Sequence, residues 1–155
     1  MTRTSASRVR YGVLESSIAF NLRRAHNLAL QAFARQIGPG YGKPGRFTIL
    51  TLIAENPGIS QTALGRASGL DISTLTPSLN DLVRRGLVRR QRLPRDRRSY
   101  SLHITSTGAG FRDEVSHLAL LFDGTLLRAV GAKAKPGLLR ALRRIAEALD
   151  ASERG

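Results

Sequence analysis

Eight arginines fall between Arg84 and Arg98, and Asp96 is the only carboxylate among them. Guanidinium groups stay charged and fork toward paired oxygens, so such a cluster suits phosphate or carboxylate recognition. Dense like charge usually marks a solvated tail. Here it is laced with Leu87, Val88, Leu93, Tyr100, Leu102 and Ile104, spaced as the buried positions of a folded segment. Asp96 would be repelled by phosphates unless it accepts hydrogen bonds from a nearby arginine, Arg98 two residues on, and so fixes that guanidinium. The plainer alternative is a turn residue bonded to its own loop.

The second chemical surface lies upstream. On a wheel at about 100 degrees per residue, Ile72, Leu75, Leu79, Leu82 and Val83 gather on one side. Ser73, Thr76, Pro77, Asn80 and Arg84 fall opposite. Hydroxyls, an amide and an arginine match the base edges of a major groove, with Asn pairing to adenine, Arg to guanine and a Thr methyl to the thymine methyl. An ordinary solvated face has the same inventory. Pro77 removes a helical hydrogen bond. With Ser73 as the cap only the first such bond is lost, and the ring is then free to pack on a thymine methyl or a sugar; an irregular helix start explains it equally.

These residues need elements to position them. At 155 residues and 41% hydrophobic, the chain fits one domain with a real core. A net charge of +14 points to a polyanion, either nucleic acid or an anionic membrane surface. No stretch approaches the roughly 18 apolar residues of a spanning helix. "MTRTSASRVR" lacks a signal-peptide core, so the expectation is a cytoplasmic protein whose residues 1–10 form a mobile basic arm. A membrane-surface role would want aromatics opposite a basic helix, but Trp is absent and the arginines sit elsewhere. Zero cysteines exclude disulfides, thiol redox chemistry and cysteine nucleophiles. His26, His103 and His117 are scattered without metal-ligand spacing, and no G-x-S-x-G, phosphate-cradling loop or facing carboxylate pair occurs. The expectation is therefore no enzyme, no cofactor and no metal.

From Val13 to Ile37 the residues Leu14, Ile18, Leu22, Ala25, Ala29, Phe33 and Ile37 recur at helical spacing and predict one long amphipathic helix, ended by "GPGYGKPG". Phe47, Ile49, Leu50, Leu52 and Ile53 predict a compact second helix that closes at "ENPG". Ser60 can cap a third, which Gly69 ends; Asp71 or Ser73 can cap a fourth running to about Arg85, with Gly86 as its stop. Gly65 inside the third helix weakens it slightly. Beyond Gly86 the period changes to two. "GLVRRQRL" and the alternating Tyr100, Leu102 and Ile104 predict a two-stranded hairpin joined by "PRDRR", with Ser99, Ser101 and His103 on the other face. Thr105 opens a long helix carrying Phe111, Val115, Leu118, Phe122, Leu126 and Val130, interrupted by "GAKAKPG", and "LLRALRRIAEALD" supplies the last. The fold class is mainly α with a small β-hairpin: a winged helix-turn-helix at 46–105, flanked by helices at 11–45 and 106–150 whose spare apolar stripes suit a subunit interface.

At this point the chain resembles the multiple antibiotic resistance regulator (MarR) family of bacterial transcription factors. The resemblance runs from about Phe47 to Gly108 and rests on "SQTALGRASGLDISTLTPSLNDLVRRGLVRR" and "PRDRRSYSLHITSTG". Its most specific piece is Asp96-x-Arg98 followed by alternating apolar residues and Thr105-x-x-Gly108. It implies a homodimeric transcriptional regulator, a ligand-responsive repressor, with two recognition helices in successive major grooves of a palindromic operator. Ser73, Thr74, Thr76, Pro77, Ser78, Asn80 and Arg84 would then lie on the recognition helix. Arg98 would enter the minor groove from the wing tip, positioned by Asp96, and Arg95 and Arg97 would contact phosphates or make secondary wing contacts. "TLTP" is similar to the branch of the family that senses organic hydroperoxides, but without cysteine that chemistry is excluded. The family's usual effector, a small aromatic or phenolic acid or its coenzyme A thioester, would meet Arg23, His26, Asn27 and Tyr41; the same residues also suit interface, capping or surface roles. The competing function is a non-sequence-specific architectural or RNA-binding winged helix with no effector response.

Overall fold

The structure, a computed structural model, describes residues 9–43, 45–93 and 96–152, without the side chains of residues 93, 96–99 and 152. Internal contacts divide the chain into two compact units, Met1–Pro44 and Gly45–Gly155.

In the first unit a 3-10 turn, Gly12–Ser16, precedes helix α1, Ile18–Ile37. The single helix expected from Val13 therefore breaks at Ser17. Its extended backbone cannot continue a helix, and its Oγ instead accepts a hydrogen bond from the Phe20 amide at 3.2 Å, capping α1. Gly38, at φ 77°, ends α1 as "GPGYGKPG" predicted. Phe33 and Ile37 are buried, whereas Ile18 and Leu22 on the same stripe are exposed.

The second unit holds the rest. Helix α2, Gly45–Glu55, places Ile49, Leu50 and Ile53 wholly out of solvent, in contact with most of the elements that follow. Strand β1, Ile59–Ser60, leads into helix α3, Gln61–Ser68, which Ser60 caps through the Ala63 amide at 3.1 Å. Gly69 stops α3 in the left-handed conformation. Helix α4, Ile72–Arg84, is followed by strands β2, Val88–Leu93, and β3, Asp96–Ile104. The long helix α5, Ser106–Val130, and α6, Lys135–Ser152, complete the chain. One hydrophobic cluster joins α2, α3, α4 and the sheet: Ile49, Leu50, Ile53, Leu64, Leu75, Leu79, Leu82, Leu87, Val88 and Leu102.

Four details correct the sequence-based expectation. The hairpin is a three-stranded antiparallel sheet of order β1-β3-β2, because β1 pairs Ile59 with Leu102 and Ser60 with Ser101; two residues are too short to show alternation. Flanked on both sides, β3 buries Ser101, whose Oγ donates to the Gln91 carbonyl at 3.1 Å, while Tyr100 stays exposed beneath the Arg92 guanidinium. β3 starts at Asp96, inside the stretch expected to be loop. Finally, α6 starts at Lys135 and takes Pro136 and Gly137 into its first turn, where proline's missing N–H has no helical partner to lose.

The junction between sheet and α5 explains the Thr-x-x-Gly spacing. Thr105 Oγ1 accepts from the Gly108 amide at 3.0 Å and donates to the Gly86 carbonyl at 2.7 Å, so one side chain caps α5 and ties it to the end of α4. This fold brings Gly108 against the chain leaving α4: a Cβ there would lie 2.0 Å from the Leu87 carbonyl oxygen. Gly65 differs, since a Cβ there would meet its nearest neighbours at 3.5 Å, ordinary contact.

Outside the core, Leu120 and Leu121 on α5 and Leu138, Leu142 and Leu149 on α6 are exposed. No single described helix is long and apolar enough to cross a membrane; α5 and α6, bent by 104° at their junction, reach that measure only as a pair. Gly108→Ala should lower stability by about 2 kcal/mol or more, because rigid backbone blocks the added methyl. Gly65→Ala should be neutral or stabilising by up to ~1 kcal/mol, because alanine is the better helix former. Denaturant unfolding of the two variants checks this; equal losses would contradict the packing described at Gly108.

Candidate nucleic-acid interface

Helix α4 owes its start to Asp71. The Asp71 carboxylate accepts from the Ser73 hydroxyl at 2.6 Å and from the Thr74 amide at 2.7 Å. These bonds, that from the Ser73 hydroxyl first, hold its pKa below the ordinary carboxylate range. Of the two caps the sequence allowed, the structure uses Asp71, and the first intrahelical bond runs from Leu75 to the Asp71 carbonyl at 2.9 Å. Pro77 consequently sits deeper than a Ser73 cap would place it. Its missing N–H deprives the Ser73 carbonyl of its helical donor, on a face that is exposed to solvent.

Leu75, Leu79 and Leu82 are fully buried and fix the rotation of α4. Ile72, expected beside them at the first position of α4, is 54% exposed. Ser73, Thr74, Pro77, Asn80 and Arg84 are exposed, and Thr76 and Ser78 are half-buried. The polar residues on this face are constrained. Thr76 Oγ1 accepts from Gln61 Nε2 at 2.8 Å, Ser78 Oγ donates to the Thr74 carbonyl at 3.1 Å, and Asn80 Oδ1 accepts from Arg90 Nη2 at 2.7 Å. Ordered side chains lose less entropy when a ligand docks than free ones.

The arginines divide into two groups. Asp81, with its side chain 14% exposed, pairs with Arg46 at 2.5 Å, with Arg85 at 3.1 Å and with Arg84. Arg46 is itself only 13% exposed, so this carboxylate and guanidinium bind the start of α2 to the last turns of α4 away from water. Arg89, Arg90 and Arg92 on β2 are exposed and have no carboxylate partner among the described residues. Their charge is available to an external anion. Arg95 lies outside the described residues, as do the side chains of Asp96, Arg97 and Arg98, including the expected Asp96–Arg98 bond. The backbone places 96–98 at the start of β3, where Asp96 pairs with Leu93.

Sequence reasoning missed Gln61, Arg46, Asp81 and Arg90. Asp81 was legible in part, since Arg84 and Arg85 follow it at three and four residues. The other three act through tertiary contacts that no spacing reveals. The expected effector residues all lie in the first unit. Arg23, His26 and Asn27 share one exposed face of α1, with Arg23 over the Phe20 ring at 5.9 Å, and Tyr41 is half-buried in the 3-10 turn after α1.

Comparison with known proteins gives this geometry its context. Residues 43–100 match the MarR family. Over 99 residues, 63% of the chain, the sequence is 40% identical to a protein of Thauera aromatica assigned to transcriptional regulation of the hcr operon. Over 70 residues, 45% of the chain, it is 37% identical to the transcriptional regulator HosA of Escherichia coli O111:H-. The aligned stretches span 60% and 51% of the lengths of those relatives. Among solved structures, the transcriptional repressor CouR bound to a 23-mer DNA duplex is 30% identical, with a TM-score of 0.79 over 90% of this chain and 99% of CouR. CouR bound to p-coumaroyl-CoA has a TM-score of 0.78 at 26% identity, over 90% of this chain and 98% of that one.

Removing Asp81 leaves Arg46 buried without a counter-charge. Asp81→Ala is expected to cost about 3 kcal/mol of unfolding free energy. Adding Arg46→Met, which keeps the stem and removes the charge, should recover at least half of it. A double variant as unstable as the single one would show that the pair does not act as a unit.

Proposed function

Because the chain belongs to the MarR family, we propose that it is a transcriptional regulator, binding a near-palindromic DNA operator as a homodimer and acting as a repressor. The observation that carries this reading is the outward face of α4. Ser73, Thr74, Pro77 and Asn80 are exposed together on a helix whose opposite face is locked by three buried leucines, beside β2 arginines that have no carboxylate partner among the described residues. A helix of that width fits a major groove, where its side chains reach base edges, while Arg89 and Arg92 neutralise phosphates. The DNA-bound CouR supports the same use of the fold.

The homodimer is supported by what a single chain leaves uncovered. Ile18 and Leu22 on α1, Leu120 and Leu121 on α5, and Leu138 and Leu142 on α6 are exposed large apolar side chains of the kind that a subunit interface covers. Two copies related by a dyad would present two α4 helices to half-sites about one helical turn, roughly 10 base pairs, apart. Ser73, Thr74, Thr76, Pro77, Ser78, Asn80 and Arg84 form the major-groove set. Arg95, Arg97 and Arg98 reach phosphates or the minor groove, with Asp96 holding Arg98. DNA as the partner puts its place of action in the cytoplasm. The proteins it resembles are regulators, a role that asks for no catalysis.

A small aromatic or phenolic acid, or its coenzyme A thioester, is the proposed effector, supported by the thioester complex of CouR. Arg23 would meet the carboxylate or a phosphate, with His26, Asn27 and Tyr41 beside it. Such a ligand raises the melting temperature of the native protein by mass action. Arg23→Ala should abolish the shift given by p-coumaroyl-CoA, and a thioester or acid series without any shift would remove the effector from the account.

The regulatory reading is tested with duplexes from the chain's own promoter region and scrambled duplexes of equal length. At physiological salt the promoter duplex should bind at least about a thousandfold more tightly. Arg98→Ala should weaken binding to every duplex and reduce the salt slope by about 1. Equal affinity for both duplexes would instead identify a non-specific, architectural winged helix.

A further inference from the structure

Asn80 and Arg90 form one reading unit, and we infer that it selects guanine, not adenine, at the base step facing Asn80. The inference rests on the sequence-specific reading above and names what that surface recognises. Asn80 is exposed on α4, and Arg90 is exposed on β2, ten residues later. Arg90 Nη2 donates to Asn80 Oδ1 at 2.7 Å, the short distance of a charge-assisted bond.

An asparagine that reads adenine turns both amide atoms to the base: Oδ1 accepts from the N6 amino group and Nδ2 donates to N7. Here Oδ1 already faces a guanidinium. The adenine amino group would have to approach the same oxygen beside a full positive charge, hydrogen against hydrogen. Among the described residues no carboxylate pairs with Arg90, and Asp81, the carboxylate next in sequence to Asn80, is held by Arg46, Arg84 and Arg85. What the unit turns outward is N–H alone: the Asn80 amide protons and the remaining guanidinium donors. Guanine alone offers two adjacent acceptors, N7 and O6, in the major groove. Adenine offers one acceptor and one donor, thymine one acceptor and a methyl group, and cytosine a donor. The match is therefore to guanine, and Arg90 is a positioning residue that also sets the polarity of what Asn80 can read.

The test is selection from a randomised duplex library with the wild-type protein, Asn80→Ala, Arg90→Ala and Arg90→Lys. The step that Asn80→Ala relaxes should be guanine for the wild type. In that position adenine or 7-deazaguanine should weaken binding about tenfold, the size of one good base contact, while inosine, which keeps N7 and O6, should not. Arg90→Ala frees Oδ1 and should move the preference at that one step toward adenine. Arg90→Lys, which keeps a cationic donor, should retain guanine. Should Arg90→Ala fail to fold, Arg90→Gln with melting curves takes its place, with the same shift expected. Selection of adenine by the wild type, or a uniform loss on all sequences with the step unchanged, overturns the inference and makes Arg90 a phosphate contact. Absence of any sequence preference in the wild type overturns the regulatory reading itself, and this inference with it.

Discussion

Everything on the outward face of α4 depends on the rotation of that helix. Leu75, Leu79 and Leu82 are spaced at four and three residues and are completely buried, each worth about 1.5–3 kcal/mol relative to exposure. A turn of the helix by one position would expose at least one of them and bury a polar residue. The cost of that error fixes Ser73, Thr74, Pro77 and Asn80 on the opposite side. The apolar face thus determines which polar groups meet a ligand, even though it touches none.

Charge is then distributed on this frame by pairing. The chain carries a net charge of +14, yet the arginines around α4 do not act alike. Arg46, Arg84 and Arg85 converge on Asp81, whereas Arg89, Arg90 and Arg92 on β2 have no carboxylate partner among the described residues. A single acidic residue in α4 therefore separates arginines that have a carboxylate partner from arginines on β2 that have none among the described residues. Thr105 adds the mechanical link: its hydroxyl joins the end of α4 to the cap of α5, so the head and the long helix share one joint.

Much of this was legible in the sequence because it is local. The stripe of leucines, the caps at Ser60 and Thr105, and the left-handed glycine after α3 each declare themselves within a few residues. The misses share a physical cause. β1 has two residues and acquires its identity only by pairing with β3. Ser101 is buried because strands lie on both sides of it, a fact of the sheet and not of its own alternation. Gln61, Arg46 and Arg90 reach α4 from other elements, and their roles appear only once the chain has closed. The Ser17 break in the first helix is an intermediate case, where a residue in helical register was also a good cap.

The central claim is that α4 enters the major groove at two symmetry-related half-sites. Methylation interference on a bound promoter fragment tests it most directly, since methylation of guanine N7 blocks the major groove and leaves the phosphates intact. Interference is expected in two segments related by a dyad and centred about one helical turn, roughly 10 base pairs, apart. Binding that tolerates N7 methylation at every position, and is lost only when phosphates are ethylated, would contradict it.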